Sequence, residues 1–347
     1  MSEHLLGDSQ LIVNDKNTTQ LFFRSVKQAS FRTAKLKNLG SDEVVIQTLF
    51  SGISRGTERL VWNGLVPLSQ RQLMRCPHQI GDFSFPISYG YSSVGKVLET
   101  GSKADKHKTG DLVFVLHPHH TQFIVAQKWL NPIPDNIPPA RAVLAANAET
   151  ALNAVWDAEI KNGNKIAVIG AGVVGLLIAH QVRKLTGRSV LVVDVHENKM
   201  DLATEIGGEF QTPIEMKNSG KEFDIIFNTS ASASGLQLAL DHAKFEGRIV
   251  EVSWYGDKPV EISLGGNFHS RRLQIISSQV GSISPVKRNE ISYAERFQMA
   301  LSKLEHPMLD RLLHPHVRFE NLPDQLPQIF DPNADALCPL ISYIDTE

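Results

Sequence analysis

The sequence predicts an α/β protein in which a doubly wound parallel sheet follows a mostly β, barrel-like domain, and three observations lead to this fold class. From Lys165 onward, apolar runs of strand length alternate with helical stretches, as in a parallel sheet that helices cover on both faces. Residues 1–140 instead contain short strand-like runs separated by glycine and proline, which is typical of an antiparallel sheet or barrel. Residues 131–139 contain four prolines and therefore form a stiff connector between the two parts.

The individual elements follow from the same patterns. In the first part we predict strands at residues 44–50, 93–98 and 111–116. After a helix at 140–158, the parallel strands are predicted at residues 166–169, 190–193, 224–227, 248–252 and 274–277. A helix over 293–304 and a strand over 337–343 come last, and we expect that strand to return to the first domain. The predicted boundaries are 1–145 for the barrel-like domain, 146–285 for the parallel sheet and 286–347 for the returning segment.

Composition and charge exclude several classes of protein. The 347 residues carry 35 basic and 37 acidic side chains, a net charge of −2, which argues against nucleic acid or an anionic membrane as a partner. The two cysteines, Cys76 and Cys338, cannot form a disulfide framework or a four-cysteine zinc site, so we expect a reduced, cytoplasmic protein. Residues 1–10 are polar and lack the apolar stretch of a secretion signal, and the longest apolar run, 166–179, is too short to span a bilayer.

A glycine-rich loop lies between a strand of the buried type and a helix. Gly170 permits the tight turn, Gly172 leaves room for a pyrophosphate beside the backbone, and Gly175 lets the helix pack close to the strand. The helix begins with Val173 and Val174, whose N–H groups can bind phosphate oxygens. Strand, loop and helix in this order predict a dinucleotide-binding site.

An acidic residue, Asp194, ends the next predicted strand, 19 positions after Gly175 (194 − 175). A carboxylate there can accept hydrogen bonds from the ribose hydroxyls of a dinucleotide and would repel a 2′-phosphate. Because Val195 and His196 follow it rather than an arginine, we predict that NAD(H) is preferred over NADP(H). Lys199 can reach the adenosine ribose, although an exposed surface lysine is an equal alternative.

Polar side chains that follow three other strands of the predicted sheet are further candidates for cofactor contact. Thr229, Ser253 and Gln279 each come just after a strand. Ligands bind at the carboxyl ends of parallel strands, so these residues should border the nicotinamide half of the cofactor. Ordinary loop hydrogen bonding is the alternative for each of them.

The chain resembles the medium-chain dehydrogenase/reductase superfamily, which includes the zinc-type alcohol dehydrogenases. The resemblance covers nearly the whole chain and lies in the phosphate loop and in residues 51–58, 89–95, 110–113, 149–152 and 251–256. It implies a GroES-like catalytic domain first, a Rossmann domain second and a tail that returns to the catalytic domain. It also implies that Thr150 contacts the cofactor and that two copies pair as a homodimer through the last Rossmann strand, here residues 274–280.

One branch of this superfamily is similar in more detail. Residues 51–58 (Ser-Gly-Ile-Ser-Arg-Gly-Thr-Glu) resemble the branch that contains bacteriochlorophyllide dehydrogenase, which oxidises a hydroxyethyl side chain to a ketone. An insertion at residues 71–86 departs from that branch, so the pigment is not carried over as a substrate. The substrate is therefore predicted only to be a small molecule.

Many members of the superfamily hold a catalytic zinc, but this sequence departs from their zinc ligands. By the resemblance, Ser54 stands at the first cysteine position, Tyr91 and Ser92 stand at the histidine and glutamate positions, and the second cysteine would fall near Ala146. Serine, tyrosine and alanine are poor zinc ligands or none at neutral pH. We therefore expect no zinc.

Histidines offer the main alternative to a metal-free protein. Residues 117–120 read His-Pro-His-His, and residues 76–78 read Cys-Pro-His. Closely spaced histidines can bind a metal, although such a segment is also typical of a polar turn. We favour the turn.

Without zinc, side chains must bind the oxygen of the substrate and handle its proton. The catalytic candidates are Ser54, Arg55, Tyr91, Ser92 and His117. Each has a structural alternative, since hydroxyls also serve in turns and packing and a histidine can cap a turn. Arg55 can instead pair with Glu58, and we expect Glu58 to pair with Arg55 or Arg59 rather than to act as a base.

The leading hypothesis is a zinc-independent, NAD(H)-dependent oxidoreductase that interconverts an alcohol and a ketone or aldehyde. The alternative enzyme is a zinc-free reductase of activated C=C bonds, of the quinone or enone type. Asp194 argues against it, because such reductases usually take NADPH. A third alternative is a cofactor-binding protein that lost catalysis together with zinc.

Overall fold

The computed structural model describes residues 16–344, so the segment 1–10, on which the prediction of no secretion signal rests, lies outside the described residues. The first part is rich in strands and contains one helix of two turns. Its elements are β1 (Asn17–Ser25), β2 (Gln28–Lys35), β3 (Glu43–Gly52), α1 (Arg55–Trp62), β4 (Ile80–Gly81), β5 (Ile87–Ser88), β6 (Ser93–Thr100), β7 (Leu112–Val115), β8 (Gln122–Ala126) and β9 (Asn131–Pro132).

Strands and helices alternate in the second part of the chain. Its elements are α2 (Pro139–Ala142), α3 (Ala145–Asp157), β10 (Ile166–Ile169), α4 (Val173–Thr186), β11 (Val190–Val193), α5 (Met200–Gly207), β12 (Gly208–Gln211), α6 (Pro213–Ser219), β13 (Phe223–Asn228), α7 (Ala233–His242), β14 (Ala243–Glu251), α8 (Asn267–Ser270) and β15 (Gln274–Ser277). The C-terminal segment adds α9 (Tyr293–Ser302), β16 (His316–Arg318), α10 (Leu322–Ile329) and β17 (Leu340–Ser342).

The second part forms one parallel sheet with the strand order β12-β11-β10-β13-β14-β15, six strands within residues 16–344. Its central strand β10 reads Ile-Ala-Val-Ile and is buried throughout, as a strand covered on both faces requires. Val168 packs on the face that α3 and α4 cover, whereas Ala167 and Ile169 belong to a separate cluster that includes α7. The strand order and these two layers are those of a doubly wound sheet, which confirms the predicted fold class.

The first part forms a mostly antiparallel sheet in the order β16-β17-β3-β6-β7-β9, with β8 also paired to β3. A smaller sheet, β2-β1-β5-β4, packs beside it. The C-terminal strand β17 pairs antiparallel with β3, with Ile341 opposite Ser51, so the tail does return to the first part. The boundaries at residues 145 and 285 stay predictions.

Several elements differ from the sequence prediction. Strands β1 and β2 were not predicted, and the helix expected over 140–158 is divided into α2 and α3. The predicted strand at 337–343 is shortened to β17. Among the described residues, no helix combines the length and apolarity that a membrane crossing needs.

Candidate active site

The glycine-rich loop between β10 and α4 has the shape that a diphosphate requires. Gly170 has a φ of +106°, and a Cβ on Gly175 would lie 2.0 Å from the Gly170 carbonyl oxygen, so both positions need glycine. A Cβ on Gly172 would instead meet nothing within 4 Å, and Gly172 has no side chain with which to cap α4. The first-turn N–H groups of Val173 and Val174 therefore face an open cradle that phosphate oxygens can fill.

Asp194 lies beside this loop, just after β11. One carboxylate oxygen accepts a hydrogen bond from Ala171 N at 2.7 Å, and the other accepts from His196 N at 2.9 Å. Lys199 Nζ lies 3.3 Å from Asp194 Oδ2. The carboxylate is thus fixed next to the phosphate loop, and Lys199 belongs to the same cluster.

The other predicted cofactor residues bond mainly to nearby backbone. Thr229 Oγ1 donates to the Gly170 carbonyl at 3.0 Å, and Ser253 Oγ accepts from Ala231 N at 3.0 Å. Thr150 Oγ1 donates to the Ala146 carbonyl within α3, and the exposed Gln279 accepts from Gly281 N. The structure brings Thr229 and Ser253 to the carboxyl edge of the sheet, and cofactor contact by all four side chains stays a prediction.

The loop after β14 joins this edge to the first part of the chain. Trp254 packs against the apolar cluster around α1, and a Cβ on Gly256 would lie 2.9 Å from the Leu65 carbonyl. At the end of β14, Glu251 accepts hydrogen bonds from Asn228 Nδ2 at 2.7 Å and from Tyr255 OH at 3.1 Å. The loop that leaves the carboxyl edge of the parallel sheet therefore packs against α1 and the residues that follow it. Sequence analysis missed the polar group around Glu251.

Ser54 and Tyr91 come together close to α1 and α3. Ser54 Oγ lies 3.3 Å from Asn147 Oδ1, one position beyond the residue that was aligned with the second cysteine. Burial raises the pKa of the Tyr91 phenol well above its ordinary value, and the charge of Glu58 adds to the rise. Hydrogen bonding with the Ser54 and Thr57 hydroxyls partly offsets it. The phenol therefore stays protonated at neutral pH.

A buried acid–histidine pair lies next to these hydroxyls. Glu58 Oε2 is 3.1 Å from His119 Nε2, and both side chains are 1% exposed. The other carboxylate oxygen of Glu58 accepts from Ser54 N at 2.8 Å. Glu58 therefore pairs with His119, and the prediction that it pairs with Arg55 or Arg59 was wrong. Since the carboxylate and the imidazole lie 61 positions apart, no local signal linked them.

The other three catalytic candidates bond elsewhere. Arg55 donates to the carbonyl oxygens of Ile329 and Ala336 and so attaches α1 to the C-terminal segment. Ser92 Oγ donates to the Val143 carbonyl. His117 is buried against Phe123, with ring centroids 3.7 Å apart, and burial lowers its pKa well below the ordinary value. The catalytic assignments of Arg55, Ser92 and His117 remain predictions, but these contacts favour structural roles.

The histidine-rich segment that offered an alternative metal site is tightly packed. The His78 ring stacks on the His117 ring at 5.3 Å, and His120 Nε2 lies 2.9 Å from Ser88 Oγ. Burial lowers the pKa of His120 to about 3 and raises that of the Cys76 thiol to about 12. Within residues 16–344, no three histidine, cysteine, aspartate or glutamate side chains are placed to share one metal ion.

Comparisons with known proteins agree with this architecture. The family model described as zinc-binding dehydrogenase matches residues 174–298. The (R,R)-butanediol dehydrogenase of Saccharomyces cerevisiae is 24% identical over 277 residues, which cover 63% of this chain and 71% of that protein.

Two solved structures share the fold at low sequence identity. A protein from Sinorhizobium meliloti, solved with bound NADP, superposes on this chain with a TM-score of 0.74 at 18% sequence identity. The superposition covers 94% of this chain and 99% of that protein. An alcohol dehydrogenase from Escherichia coli, solved in complex with NADH, superposes with a TM-score of 0.75 at 16% sequence identity. The superposition covers 94% of this chain and 100% of that protein. The chain is thus similar to zinc-type alcohol dehydrogenase-like proteins over the matched residues and shares the fold of the two solved structures, and these similarities support an NAD(P)-dependent dehydrogenase.

Proposed function

We propose that the protein interconverts an alcohol and a ketone or aldehyde by hydride transfer with NAD(H), and that it does so without zinc. The observation that carries the proposal is the hydrogen-bonded pair of hydroxyls, Ser54 and Tyr91, which by the resemblance stand where zinc ligands stand in the superfamily. The two side chains are hydrogen-bonding neighbours, and Tyr91 packs on the same apolar cluster as Trp254, which follows β14 at the carboxyl edge of the sheet. A bound nicotinamide would supply or accept the hydride.

The hydroxyl pair can take over the polarising role of a metal. Because the Tyr91 phenol stays protonated, it can donate a hydrogen bond to the carbonyl oxygen of a substrate and stabilise the negative charge that develops there. Ser54 Oγ donates to Asn147 Oδ1 and also bonds to the phenol, so it helps to orient the Tyr91 hydroxyl. The butanediol dehydrogenase relative supports an alcohol as the substrate class over an activated alkene.

Turnover with a substrate panel and metal analysis test this proposal together. We expect the purified protein to oxidise at least one alcohol from a panel that includes 2,3-butanediol and sorbitol, and to retain that activity after dialysis against a chelator. Stoichiometric zinc, or loss of activity on chelation that zinc restores, would contradict the zinc-free proposal. Reduction of enones alone would favour the C=C reductase, and tight NADH binding without any turnover would favour a non-catalytic protein.

The cofactor preference has its own test in Asp194. We propose that NADH binds more tightly than NADPH, because the fixed carboxylate beside the phosphate loop repels a 2′-phosphate. Asp194→Ala is expected to weaken NADH binding about tenfold and to strengthen NADPH binding, each measured by fluorescence titration. Asp201→Ala, an exposed acid on α5, is the matched control and should leave both affinities unchanged. Tighter binding of NADPH by the unaltered protein would refute the preference.

We also keep the homodimer as a proposal. Strand β15 lies at the edge of the parallel sheet and pairs with β14 on its inner side. Its outer edge leaves backbone groups available to the same strand of a second copy.

A further inference from the structure

A buried asparagine lies beside the hydroxyl pair and keeps its amide nitrogen unbonded. Asn147 belongs to the first turn of α3, is 4% exposed, and accepts a hydrogen bond on Oδ1 from Ser54 Oγ at 3.3 Å. Within residues 16–344, its Nδ2 has no hydrogen-bond partner. This nitrogen is also not one of the unpartnered atoms there that are sealed from solvent, so it borders space that water can reach.

Two other asparagines are buried in the described part of the chain, and they show how a structural amide is accommodated. Asn153 Nδ2 donates to Asp157 Oδ2 at 3.1 Å, and Asn228 Nδ2 donates to Glu251 Oε2 at 2.7 Å. A buried amide without such a partner loses the hydrogen bonds that water gave it, which disfavours folding. The unpaired nitrogen of Asn147 therefore indicates a role other than packing.

The hydrogens of the three neighbouring groups are not equally available to a substrate. Ser54 Oγ carries one hydrogen and donates it to Asn147 Oδ1. The Tyr91 phenol also carries one, and it bonds with the Ser54 and Thr57 hydroxyls. Asn147 Nδ2 carries two hydrogens, and neither is engaged by the described residues. Asn147 can therefore donate to a substrate oxygen without breaking a bond within the protein.

The amide also lies where the two parts of the chain meet. Ser54 directly precedes α1 in the first part, whereas Asn147 lies at the start of α3, 93 positions later. α3 packs against α4, and Gln181 Nε2 of α4 donates to the Ala148 carbonyl at 3.1 Å. Because α4 begins at the phosphate loop, the Ser54–Asn147 bond joins the hydroxyl pair to the helices beside the predicted cofactor site.

We infer that Asn147 is a catalytic residue whose Nδ2 donates a hydrogen bond to the oxygen of the substrate, next to the Tyr91 phenol, an inference that rests on the proposed function. In reduction, the carbonyl carbon gains the hydride of bound NADH and forms a C–H bond, while the π pair of the C=O bond moves onto the oxygen. The oxygen then takes a proton from water, and the alcohol leaves. An N–H donor that is already oriented stabilises the negative charge on that oxygen as it develops. Oxidation runs the same steps in reverse.

The alternative is that Asn147 only orients Ser54, and two substitutions separate these roles. Asn147→Leu has a similar size and removes both the donor and the acceptor. Asn147→Asp keeps an oxygen that can accept from Ser54 Oγ, but its carboxylate has no hydrogen to donate at pH 8. Asn131→Leu and Asn131→Asp are the matched controls in β9, where Asn131 Nδ2 donates to the Trp129 carbonyl at 3.3 Å.

For both Asn147 variants we expect kcat to fall about 100-fold, while KM and the Kd for NADH stay within about threefold. The substrates are the alcohol of the panel that the unaltered protein oxidises best and the matching ketone. Both Asn131 variants should keep the kcat of the unaltered protein within about twofold. Melting temperatures identify a variant that fails to fold, and if Asn147→Leu does so, Asn147→Asp decides the test.

Two further measurements show whether the amide contacts the substrate itself. The complex of the ketone with NAD+ cannot react, so the infrared C=O stretch of the bound ketone can be recorded in it. This band should lie at a lower frequency in the unaltered protein than in Asn147→Leu, because a hydrogen bond to the oxygen weakens the C=O bond. In a Ser54→Ala background, Asn147→Leu should still lower kcat at least about tenfold, whereas a residue that acted only through Ser54 would have no further effect there.

The outcomes separate this inference from the proposed function. If the unaltered protein turns over but Asn147→Asp keeps its kcat and its C=O frequency, the donor role is overturned and the function stands. The same holds if the loss in Asn147→Leu vanishes in the Ser54→Ala background. If the unaltered protein oxidises or reduces nothing, the proposed function fails and the donor role fails with it.

Discussion

Gly172→Ala is expected to weaken NADH binding at least about thirtyfold, which is roughly 2 kcal/mol, while the protein keeps its fold. A Cβ at this position would meet no protein atom within 4 Å, and Gly172 has an extended backbone with a φ of −80° that alanine adopts without strain. The new methyl group would instead occupy the cradle in front of the first turn of α4, where the diphosphate must approach the backbone. Fluorescence titration with NADH and thermal unfolding measure the two quantities.

Two other glycines control this experiment. Gly265→Ala also adds a methyl group in open space, but away from the phosphate loop, and should change neither affinity nor melting temperature. Gly175→Ala should destabilise the fold itself, since its Cβ would lie 2.0 Å from the Gly170 carbonyl oxygen. Normal NADH affinity in Gly172→Ala would show that the loop does not carry the diphosphate.

The phosphate loop could be predicted because all its determinants are local. Gly170, Gly172 and Gly175 lie within six positions, and the strand before them and the helix after them follow directly in the sequence. Continuous apolar runs likewise predicted five of the six strands in the described parallel sheet, since a strand buried on both faces must be apolar throughout. Strand β12 was missed because its side chains are exposed or half-buried. Strand β2 lacks such a pattern because most of its side chains are exposed or half-buried.

The acid–histidine pair and the contact between Ser51 and Tyr343 could not be predicted from local pattern. Ser51 and Tyr343 are 292 positions apart and meet because β17 pairs with β3. The resemblance to zinc enzymes directed attention to Ser54 and Tyr91, which do come together, and to Ser92, whose hydroxyl bonds to the backbone instead. A resemblance to zinc ligands in other proteins therefore predicts where these residues lie along the backbone. It does not predict which groups their side chains contact, because the residue types differ from those of the ligands.

Arg296→Met is expected to lower the free energy of unfolding by about 3–5 kcal/mol at neutral pH. The Arg296 side chain is 2% exposed and donates to Glu149 Oε1 at 2.9 Å, to Asn153 Oδ1 at 2.8 Å and to the Val280 carbonyl at 2.6 Å. It thereby joins α9 to α3 and to the chain just after β15. Methionine fills similar space but leaves the Glu149 carboxylate buried without its cation.

The pH dependence of this loss separates the charge effect from simple packing. Burial already raises the pKa of Glu149, and Arg296 lowers it, so the variant should have a higher Glu149 pKa than the unaltered protein. A carboxyl whose pKa is raised on folding favours the folded state at low pH, and that stability is lost as the pH rises through the folded-state pKa. The deficit of Arg296→Met should therefore be smaller at a mildly acidic pH than at neutral pH, because Glu149 takes up a proton as the pH falls.

Two further substitutions test whether the loss of stability comes from the buried Arg296–Glu149 pair. Arg272→Met removes an exposed arginine that pairs with Glu246 and should cost less than about 1 kcal/mol. Adding Glu149→Gln to Arg296→Met should recover part of the loss and abolish its pH dependence, because no carboxylate then remains to be buried unpaired. Urea unfolding at the two pH values measures all four proteins. A pH-independent loss in the single variant would mean that Arg296 acts through its contacts with Asn153 and the Val280 carbonyl rather than by neutralising Glu149.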